Sequence, residues 1–179
     1  VVDYITIASA GDATDFGNLT IALQGTGGCE SSTRALFGGA ANAPRKEGID
    51  YFTIASTGDA TDFGDLTADR HYPGALSSDT RGIWGGGKDP SNLNIIDYVT
   101  IASAGDAADF GDLTAATSGK GGTSTTTRGI FVGGETPSVV NVVDYITIAS
   151  TGDAADFGDL STVRTRPGSC SDTHGGLQA

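Results

Sequence analysis

The chain has 179 residues, of which 18% are charged and 28 are glycine, and its formal net charge at pH 7 is −12. This length is sufficient for one domain with a sizeable core, and the composition excludes a typical disordered chain and a helical bundle. The acidic balance argues against nucleic-acid binding, and no apolar run reaches the roughly 18 residues that a membrane-spanning helix needs.

The first predicted element is a strand from Asp3 to Ser9, a stretch rich in Ile and Thr that precedes Gly11-Asp12. A second short strand is predicted around Phe16 to Leu19, and the Gly-Asp pair between the two is typical of a hairpin turn. The block from Arg34 to Phe37 predicts a third strand, which ends at a glycine pair. No segment shows the periodicity of an amphipathic helix.

These elements recur every 47 residues, which indicates duplication of one structural unit. The sequence D-Y-I-T-I-A-S-A-G-D-A-T-D-F-G recurs with few changes in each copy. The units start near Asp3, Asp50, Asp97 and Asp144. A second segment, which begins with Thr-Arg and ends in a glycine pair, recurs at the same spacing from Thr33, Thr80 and Thr127. A shorter version begins at Thr173. A weaker fourth strand is predicted in the variable stretch before this segment, for example from Ala115 to Ser124.

Three or four strands in about 47 residues match the size of one β-propeller blade. The chain resembles the kelch repeat in having a strand that ends in a glycine pair and an aromatic residue after the next turn. The matching positions are Gly38-Gly39, Gly85-Gly86 and Gly133-Gly134 for the glycines, and Phe16, Phe63, Phe110 and Phe157 where kelch repeats carry Trp. The single Trp84 lies instead in the glycine-pair strand. The sequence of the repeat is also similar to repeats in structural proteins of marine bacteriophages, cyanophages in particular.

The order of the strands predicts how the array closes. The chain begins with the Asp-Tyr strand and ends with a glycine-pair strand, Thr173 to Leu177, so each end lacks what the other offers. We therefore predict an all-β protein, a β-propeller of four blades closed by pairing of the N- and C-terminal strands. It would form a single repeat domain over 1–179, with the last blade completed by 173–179. An open arc of a larger ring, a ring shared between two chains and a β-solenoid are the alternatives.

Three of the four units carry an acidic triplet with three-residue spacing, and the first unit has Asn18 at its third position. Carboxylates gathered in one loop can bind calcium. The candidate calcium ligands are therefore Asp59, Asp62 and Asp65, and Asp106, Asp109 and Asp112. The spacing matches neither the EF-hand loop nor the glycine-rich calcium nonapeptide. The alternative is that these carboxylates accept hydrogen bonds from turn amides.

Two further sets of residues recur with the repeat. Arg34, Arg81 and Arg128 precede the glycine pairs, and we expect them to pair with a repeated aspartate such as Asp50 or Asp97; an anionic ligand is the alternative. Cys29 and Cys170 occupy equivalent places three repeat lengths apart, which predicts two free, partly buried thiols rather than a disulfide.

The segments that escape the repeat are better binding candidates, because a rigid scaffold that holds variable loops is a common arrangement for recognition. The cluster of Arg70, His71 and Tyr72, with Arg164 and Arg166 in the equivalent segment of the last unit, is the most ligand-like. Aromatic and guanidinium groups suit sugars or acidic glycans. Ordinary surface variation is the alternative.

Signatures of catalysis are absent from the sequence. There are two histidines, His71 and His174, and no nucleophile elbow, Walker loop or dinucleotide fingerprint. We therefore expect a non-enzymatic protein that needs no cofactor. The resemblance to phage repeats implies a structural or receptor-binding β-propeller of a virion, such as a tail-fibre or appendage component, with virion proteins or cell-surface glycans as partners. The alternative is a secreted or cell-surface carbohydrate-binding module of a bacterium; either could be an oligomer.

Overall fold

The chain folds into short strands joined by turns. The computed structural model describes residues 1–41, 44 and 46–171, and over these residues it contains no helix. The strands in chain order are β1 (Val2–Tyr4), β2 (Thr14–Gly17), β3 (Gly27–Glu30), β4 (Arg34–Gly38), β5 (Gly48–Thr53), β6 (Thr61–Asp65), β7 (Gly74–Ser77), β8 (Arg81–Gly85), β9 (Ile95–Thr100), β10 (Ala108–Asp112), β11 (Gly121–Ser124), β12 (Arg128–Val132), β13 (Val142–Thr147) and β14 (Ala155–Asp159). The all-β class predicted from the sequence is confirmed.

The strands of the described residues form four antiparallel sheets. Sheet 1 is the hairpin β1-β2, and sheets 2, 3 and 4 are the four-stranded meanders β3-β4-β5-β6, β7-β8-β9-β10 and β11-β12-β13-β14. Each meander begins with the short strand that precedes the Thr-Arg segment and ends with the Asp-Phe-Gly strand. A sheet therefore joins the end of one sequence unit to the start of the next, and the three complete sheets have the form of propeller blades.

The predicted strands match the observed ones except at the Asp-Tyr segment. The predicted strand from Asp3 to Ser9 corresponds to β1, which ends at Tyr4, and its counterpart β5 starts two residues before the Asp-Tyr pair. The Ile-Ala-Ser stretch turns instead, because the amide of Ser56 donates to the carbonyl of Thr53 at 3.3 Å. In this turn Ile54 is exposed, but its equivalents Ile101 and Ile148 in the next two units are buried. The alternating apolar pattern therefore continues past the strand because these isoleucines pack between sheets.

The other strand predictions hold to within a few residues. The strand expected around Phe16 to Leu19 is β2, which begins and ends two residues earlier. The strand expected from Arg34 to Phe37 lies within β4, and the weaker fourth strand sought in Ala115 to Ser124 is β11.

The core lies between adjacent sheets rather than inside any one of them. Sheets 2 and 3 enclose one buried cluster, and sheets 3 and 4 enclose a second of the same kind. The first comprises Cys29, Leu36, Ile49, Phe63, Leu66, Trp84, Val99 and Ile101, and the second comprises Leu76, Ile83, Ile96, Phe110, Leu113, Phe131, Ile146 and Ile148. Sheet 3 contributes to both clusters and is therefore apolar on both faces, which explains why its strands show little polar alternation.

Trp84 shows why glycine recurs on these strands. Its side chain is fully buried between sheets 2 and 3, and its Nε1 donates a hydrogen bond of 2.9 Å to the carbonyl of Gly27. A Cβ placed on Gly38 would lie 2.8 Å from the indole ring, so the sheets could not approach this closely around a larger residue.

The first strands of the meanders gather around one axis. Strand β7 contacts both β3 and β11. Together with residues 167–171 of the last unit, these strands line one cavity of about 270 Å³, which we call the axial cavity. The sheets thus radiate from a common centre as blades do. The predicted closing strand, Thr173 to Leu177, lies outside the described residues, as does His174, so closure of the ring stays a prediction.

Candidate functional site

The acidic triplets lie at the outer ends of the sheets, where they join one unit to the next. Asp59 Oδ1 accepts hydrogen bonds from the backbone and side-chain nitrogens of Asn18, at 2.9 and 3.1 Å. Asp106 and Asp153 accept from the backbone amides of the equivalent residues Asp65 and Asp112. The first carboxylate of a triplet therefore binds an amide of the preceding unit.

This arrangement does not gather the proposed calcium ligands. Among the residues that the structure describes, no group of three or more His, Cys, Asp or Glu side chains could hold a metal ion. The positions in question are Asp59, Asp62, Asp65, Asp106, Asp109 and Asp112. Hydrogen bonding to amides, the alternative reading of the triplets, accounts for the contacts of Asp59 and Asp106.

Over the described part of the chain, Arg34, Arg81 and Arg128 form no ion pair with the recurring aspartates, so that expectation is wrong. Arg34 Nη1 donates to the carbonyl of Ile101 in the following sheet at 2.7 Å, and its guanidinium lies 4.6 Å from the ring centroid of Tyr51. Arg81 repeats both contacts with Ile148 and Tyr98. These arginines cap turn carbonyls between sheets and stack on the repeat tyrosine, which is a structural role.

The repeated aspartates bind threonines of the preceding unit instead. Asp50 and Asp97 are both buried, and the Oγ1 atoms of Thr20 and Thr67 donate to them at 2.7 Å. The backbone amides of the same threonines also donate, at 2.9 Å in each case. A carboxylate that accepts several short bonds fixes one unit against the next.

Arg70, predicted as a ligand residue, forms part of this scaffold. Its side chain is fully buried, and its guanidinium pairs with the equally buried carboxylate of Asp97. Its Nη1 also donates to the carbonyls of Gly86 and Ile95, at 3.2 and 3.0 Å. The side chain therefore has no surface to offer a ligand. The sequence alone does not reveal this pair, because the two residues meet only where the connection between β6 and β7 packs against β9.

Tyr72 and Arg166, in contrast, are brought together although they lie two repeat lengths apart. The Arg166 guanidinium carbon is 4.1 Å from the centroid of the Tyr72 ring, and Arg166 is exposed. His71 packs edge-on against the same tyrosine, with the ring centroids 5.0 Å apart. The stack lies next to the axial cavity and lines a second cavity of about 250 Å³, which we call the rim cavity.

The backbone at this stack has a conformation that suits glycine, yet two of the residues that adopt it are not glycine. Four equivalent residues have positive φ: 73° at Gly25, 56° at Tyr72, 66° at Gly119 and 52° at Arg166. They form a hydrogen-bonded series, since the amides of Tyr72, Gly119 and Arg166 each donate to the carbonyl of the preceding member, at 2.6, 2.9 and 2.7 Å. Glycine adopts this conformation freely, whereas another residue loses on the order of 1 kcal/mol. The two non-glycine members are the two that stack on each other.

The remaining predicted residues lie near this stack or apart from it. His71 is half-buried; burial and the ammonium of Lys88 lower its pKa, so its neutral form is favoured near pH 7. Arg164 is exposed and donates to Thr162 Oγ1 at 3.3 Å. Within the described part of the chain, the structure therefore joins Tyr72, His71 and Arg166 into one surface and leaves Arg164 outside it.

The two cysteines are free, as predicted, but neither is partly buried, so that part of the prediction is wrong. Cys29 is buried between sheets 2 and 3, whereas Cys170 is exposed at the axial cavity. Burial raises the pKa of the Cys29 thiol, with a smaller contribution from the carboxylate of Glu30. A buried, protonated thiol is a packing group rather than a nucleophile.

No protein family and no curated protein matches this chain at a significant level. The described residues also contain no helix long and apolar enough to cross a membrane. The case for a function therefore depends on the sequence and the geometry of the chain itself.

Proposed function

We propose that the chain is a non-enzymatic structural and receptor-binding β-propeller of a phage virion, such as a tail-fibre or appendage component. Its surface at the rim cavity would recognise a cell-surface glycan or another virion protein outside the cell. The resemblance of the repeats to kelch repeats and to repeats in structural proteins of marine bacteriophages supports the assignment to a virion. The Tyr72–Arg166 stack carries the assignment to binding.

The stack supports binding because stability alone would not select it. Two of the four equivalent residues are glycine, so glycine satisfies the backbone at this position. Tyr72 and Arg166 retain strain and keep an aromatic ring and a guanidinium at an accessible rim, and such strain is commonly retained where a site has a function. The pair offers a planar apolar surface with a fixed positive charge, which suits an acidic sugar.

The same proposal includes closure of the ring by the two ends of the chain. In each internal interface a Thr and an aspartate bind, as Thr20 binds Asp50; the same step would place Ser161 against Asp3. Arg164 is the equivalent of Arg70, so it would reach Asp3 as Arg70 reaches Asp97. Both partners of this expected ion pair are exposed in the structure.

The apolar residues at the two ends support closure as well. Phe63 and Phe110 are buried by the following sheet, but their equivalent Phe157 is 53% exposed. At the other end Ile5 and Ile7 are 63% and 96% exposed, whereas their equivalents in the last two units are buried, namely Val99, Ile101, Ile146 and Ile148. Bringing these ends together would bury the apolar surface that each leaves in water.

The test of binding replaces the stack with the residue that the fold already uses. Tyr72→Gly and Arg166→Gly are expected to abolish binding to an array of neutral and acidic oligosaccharides while leaving thermal stability unchanged or raised. Tyr72→Phe is the matched control, because it keeps the ring and should keep binding. Full glycan binding by both glycine variants would overturn the assignment of this surface.

The virion assignment needs a separate experiment. Mass spectrometry of purified phage particles is expected to find the protein, and immunogold labelling should place it on an appendage. Glycan binding by a protein that is absent from particles and present in bacterial culture medium would favour the alternative, a secreted carbohydrate-binding module of a bacterium. The stack favours that alternative equally, since a sugar-binding surface serves both roles.

A further inference from the structure

Among the residues that the structure describes, one buried aspartate lacks the cation that its counterparts have. Asp97 pairs with Arg70, and Asp144 pairs with Lys120, whose Nζ lies 2.9 Å from Asp144 Oδ2. All four of these side chains are at most 1% exposed. The Lys120 contact is an ion pair without hydrogen-bond geometry. Two different side chains therefore supply a positive charge at the same place in two successive interfaces.

Asp50 occupies the third of these equivalent positions and is 5% exposed. Among the described residues, its hydrogen bonds come from Thr20 alone, and no Lys, Arg or His lies within ion-pair distance. Leu23 stands where the next unit has Arg70, and Thr26 stands where the third unit has Lys120. A carboxylate buried without a counter-ion is costly, because the low dielectric strengthens every uncompensated charge.

The space for a cation is present beside Asp50. A cavity of about 230 Å³ is lined by Thr20, Ile21, Leu23, Gly48, Asp50 and Asp62. In the next interface, the equivalent space receives the guanidinium of Arg70.

The acceptors that hold the Arg70 guanidinium are present here too. Arg70 donates to the carbonyls of Gly86 and Ile95, whose equivalents are Gly39 and Gly48. The local backbone is the same in both places, since Gly86 and Gly39 donate to the carbonyls of Ile95 and Gly48 at 2.9 and 3.2 Å. The site therefore has the carboxylate and the two carbonyls that suit a planar, forked donor, but none of the described side chains fills it.

We propose that the cavity beside Asp50 binds a guanidinium group that a ligand supplies. One nitrogen would donate to Asp50 and another to the carbonyls of Gly39 and Gly48, as in the neighbouring interface. The alkyl part would lie against Ile21 and Leu23. The group could belong to a small molecule or to an arginine side chain of a partner protein, and the chemistry of the site is the same for both.

The experiment uses the full chain and two probes, methylguanidinium and N-acetyl-arginine methylamide. Binding is followed by the ¹⁵N chemical shift of the Thr20 amide, which donates to Asp50 Oδ2. Perturbation by both probes supports the shared chemistry. Perturbation by methylguanidinium alone supports a small-molecule source, and perturbation by the capped arginine alone supports an arginine side chain. Tetramethylammonium is the control, because it has the charge but no N–H donor. No perturbation by either guanidinium, or an equal effect of tetramethylammonium, would overturn the proposal.

Three variants locate the site. Asp50→Asn is expected to weaken methylguanidinium binding by about tenfold or more, the usual effect of losing a charged hydrogen-bond partner. Leu23→Arg should fill the site from within, abolish binding and raise the unfolding temperature. Arg70→Leu should open a second site, so that methylguanidinium also shifts the Thr67 amide. Undiminished binding to the Asp50→Asn and Leu23→Arg variants would place the ligand elsewhere.

Discussion

The interfaces between units leave no room for a Cβ at one repeated glycine, and this gives a direct test of ring closure. A Cβ on Gly111 would lie 2.5 Å from both the carbonyl carbon and the carbonyl oxygen of Gly152 in the following unit. Gly158 is the equivalent residue in the last unit, and a Cβ there meets nothing within 4 Å. If the ring closes, Gly158 would face Gly11 as Gly111 faces Gly152.

The expected loss in the free energy of unfolding has two parts, backbone strain and steric overlap, which the variants separate. Gly105→Ala measures strain alone, because Gly105 has a φ of 156° and open space at its Cβ position. Such a backbone costs about 1–3 kcal/mol for a residue other than glycine. Gly111→Ala adds the overlap with the next unit, and overpacking of this kind costs a further 1–3 kcal/mol or so. The entropy that alanine removes from the unfolded chain is common to all three variants and cancels in their comparison.

Urea denaturation followed by tryptophan fluorescence suits this comparison, since Trp84 is the single tryptophan and is fully buried between sheets. A difference of ~2 kcal/mol moves the urea midpoint by ~1 M for a protein of this size. We expect Gly158→Ala to unfold with Gly111→Ala, well below Gly105→Ala. Unchanged slopes of the three transitions are needed for the comparison.

Closure is contradicted if Gly158→Ala unfolds with Gly105→Ala instead. A Gly158→Ala effect that grows with protein concentration would show that the facing unit belongs to another chain, which is a shared ring. Equal midpoints for Gly111→Ala and Gly105→Ala would contradict the steric account itself.

Three further outcomes are expected. Arg70→Leu should lower the free energy of unfolding by about 3–5 kcal/mol in urea, because it leaves Asp97 buried without its counter-ion; a loss below 1 kcal/mol or so would contradict a buried charged pair. Trp84→Ala should cost about 3–5 kcal/mol, measured by thermal unfolding with circular dichroism, because the sheets cannot fully collapse on the space. Iodoacetamide should label Cys170 and spare Cys29 in the native protein, because burial raises the Cys29 pKa and disfavours its thiolate; two labels by intact-mass spectrometry without denaturant would contradict this.

The repeat made the strand class and the number of units accessible to prediction, because duplicated segments must share one local structure. The residue at which the Asp-Tyr strand ends could not be predicted from the sequence. Ile5 and Ile7 continue the alternation of a strand, but the same alternation serves a turn whose isoleucine packs on the next sheet, as Ile101 does. Periodicity reports which side chains are apolar and not which neighbour covers them.

The candidate site could be predicted only in part from the sequence, for a related reason. The cluster of Arg70, His71 and Tyr72 was found by composition, which cannot separate a buried charge from an exposed one. Arg70 and Tyr72 are two residues apart, yet Arg70 is buried in an interface between sheets and Tyr72 lines the rim cavity. The pairing of Tyr72 with Arg166 depends on the curvature of the whole array, and no local sequence pattern encodes curvature.

The hydrogen-bonded series at the rim has a consequence for how the molecule can evolve. The contacts between neighbouring units recur at fixed offsets, so a gene duplication could add a unit without a new kind of interface. The Tyr72–Arg166 stack differs, because it joins units that are two steps apart across the axis. If the ring closes as proposed, an additional unit would widen the circle and separate the two side chains. Copy number would then be constrained at the centre of the molecule, by the same residues that would recognise a ligand.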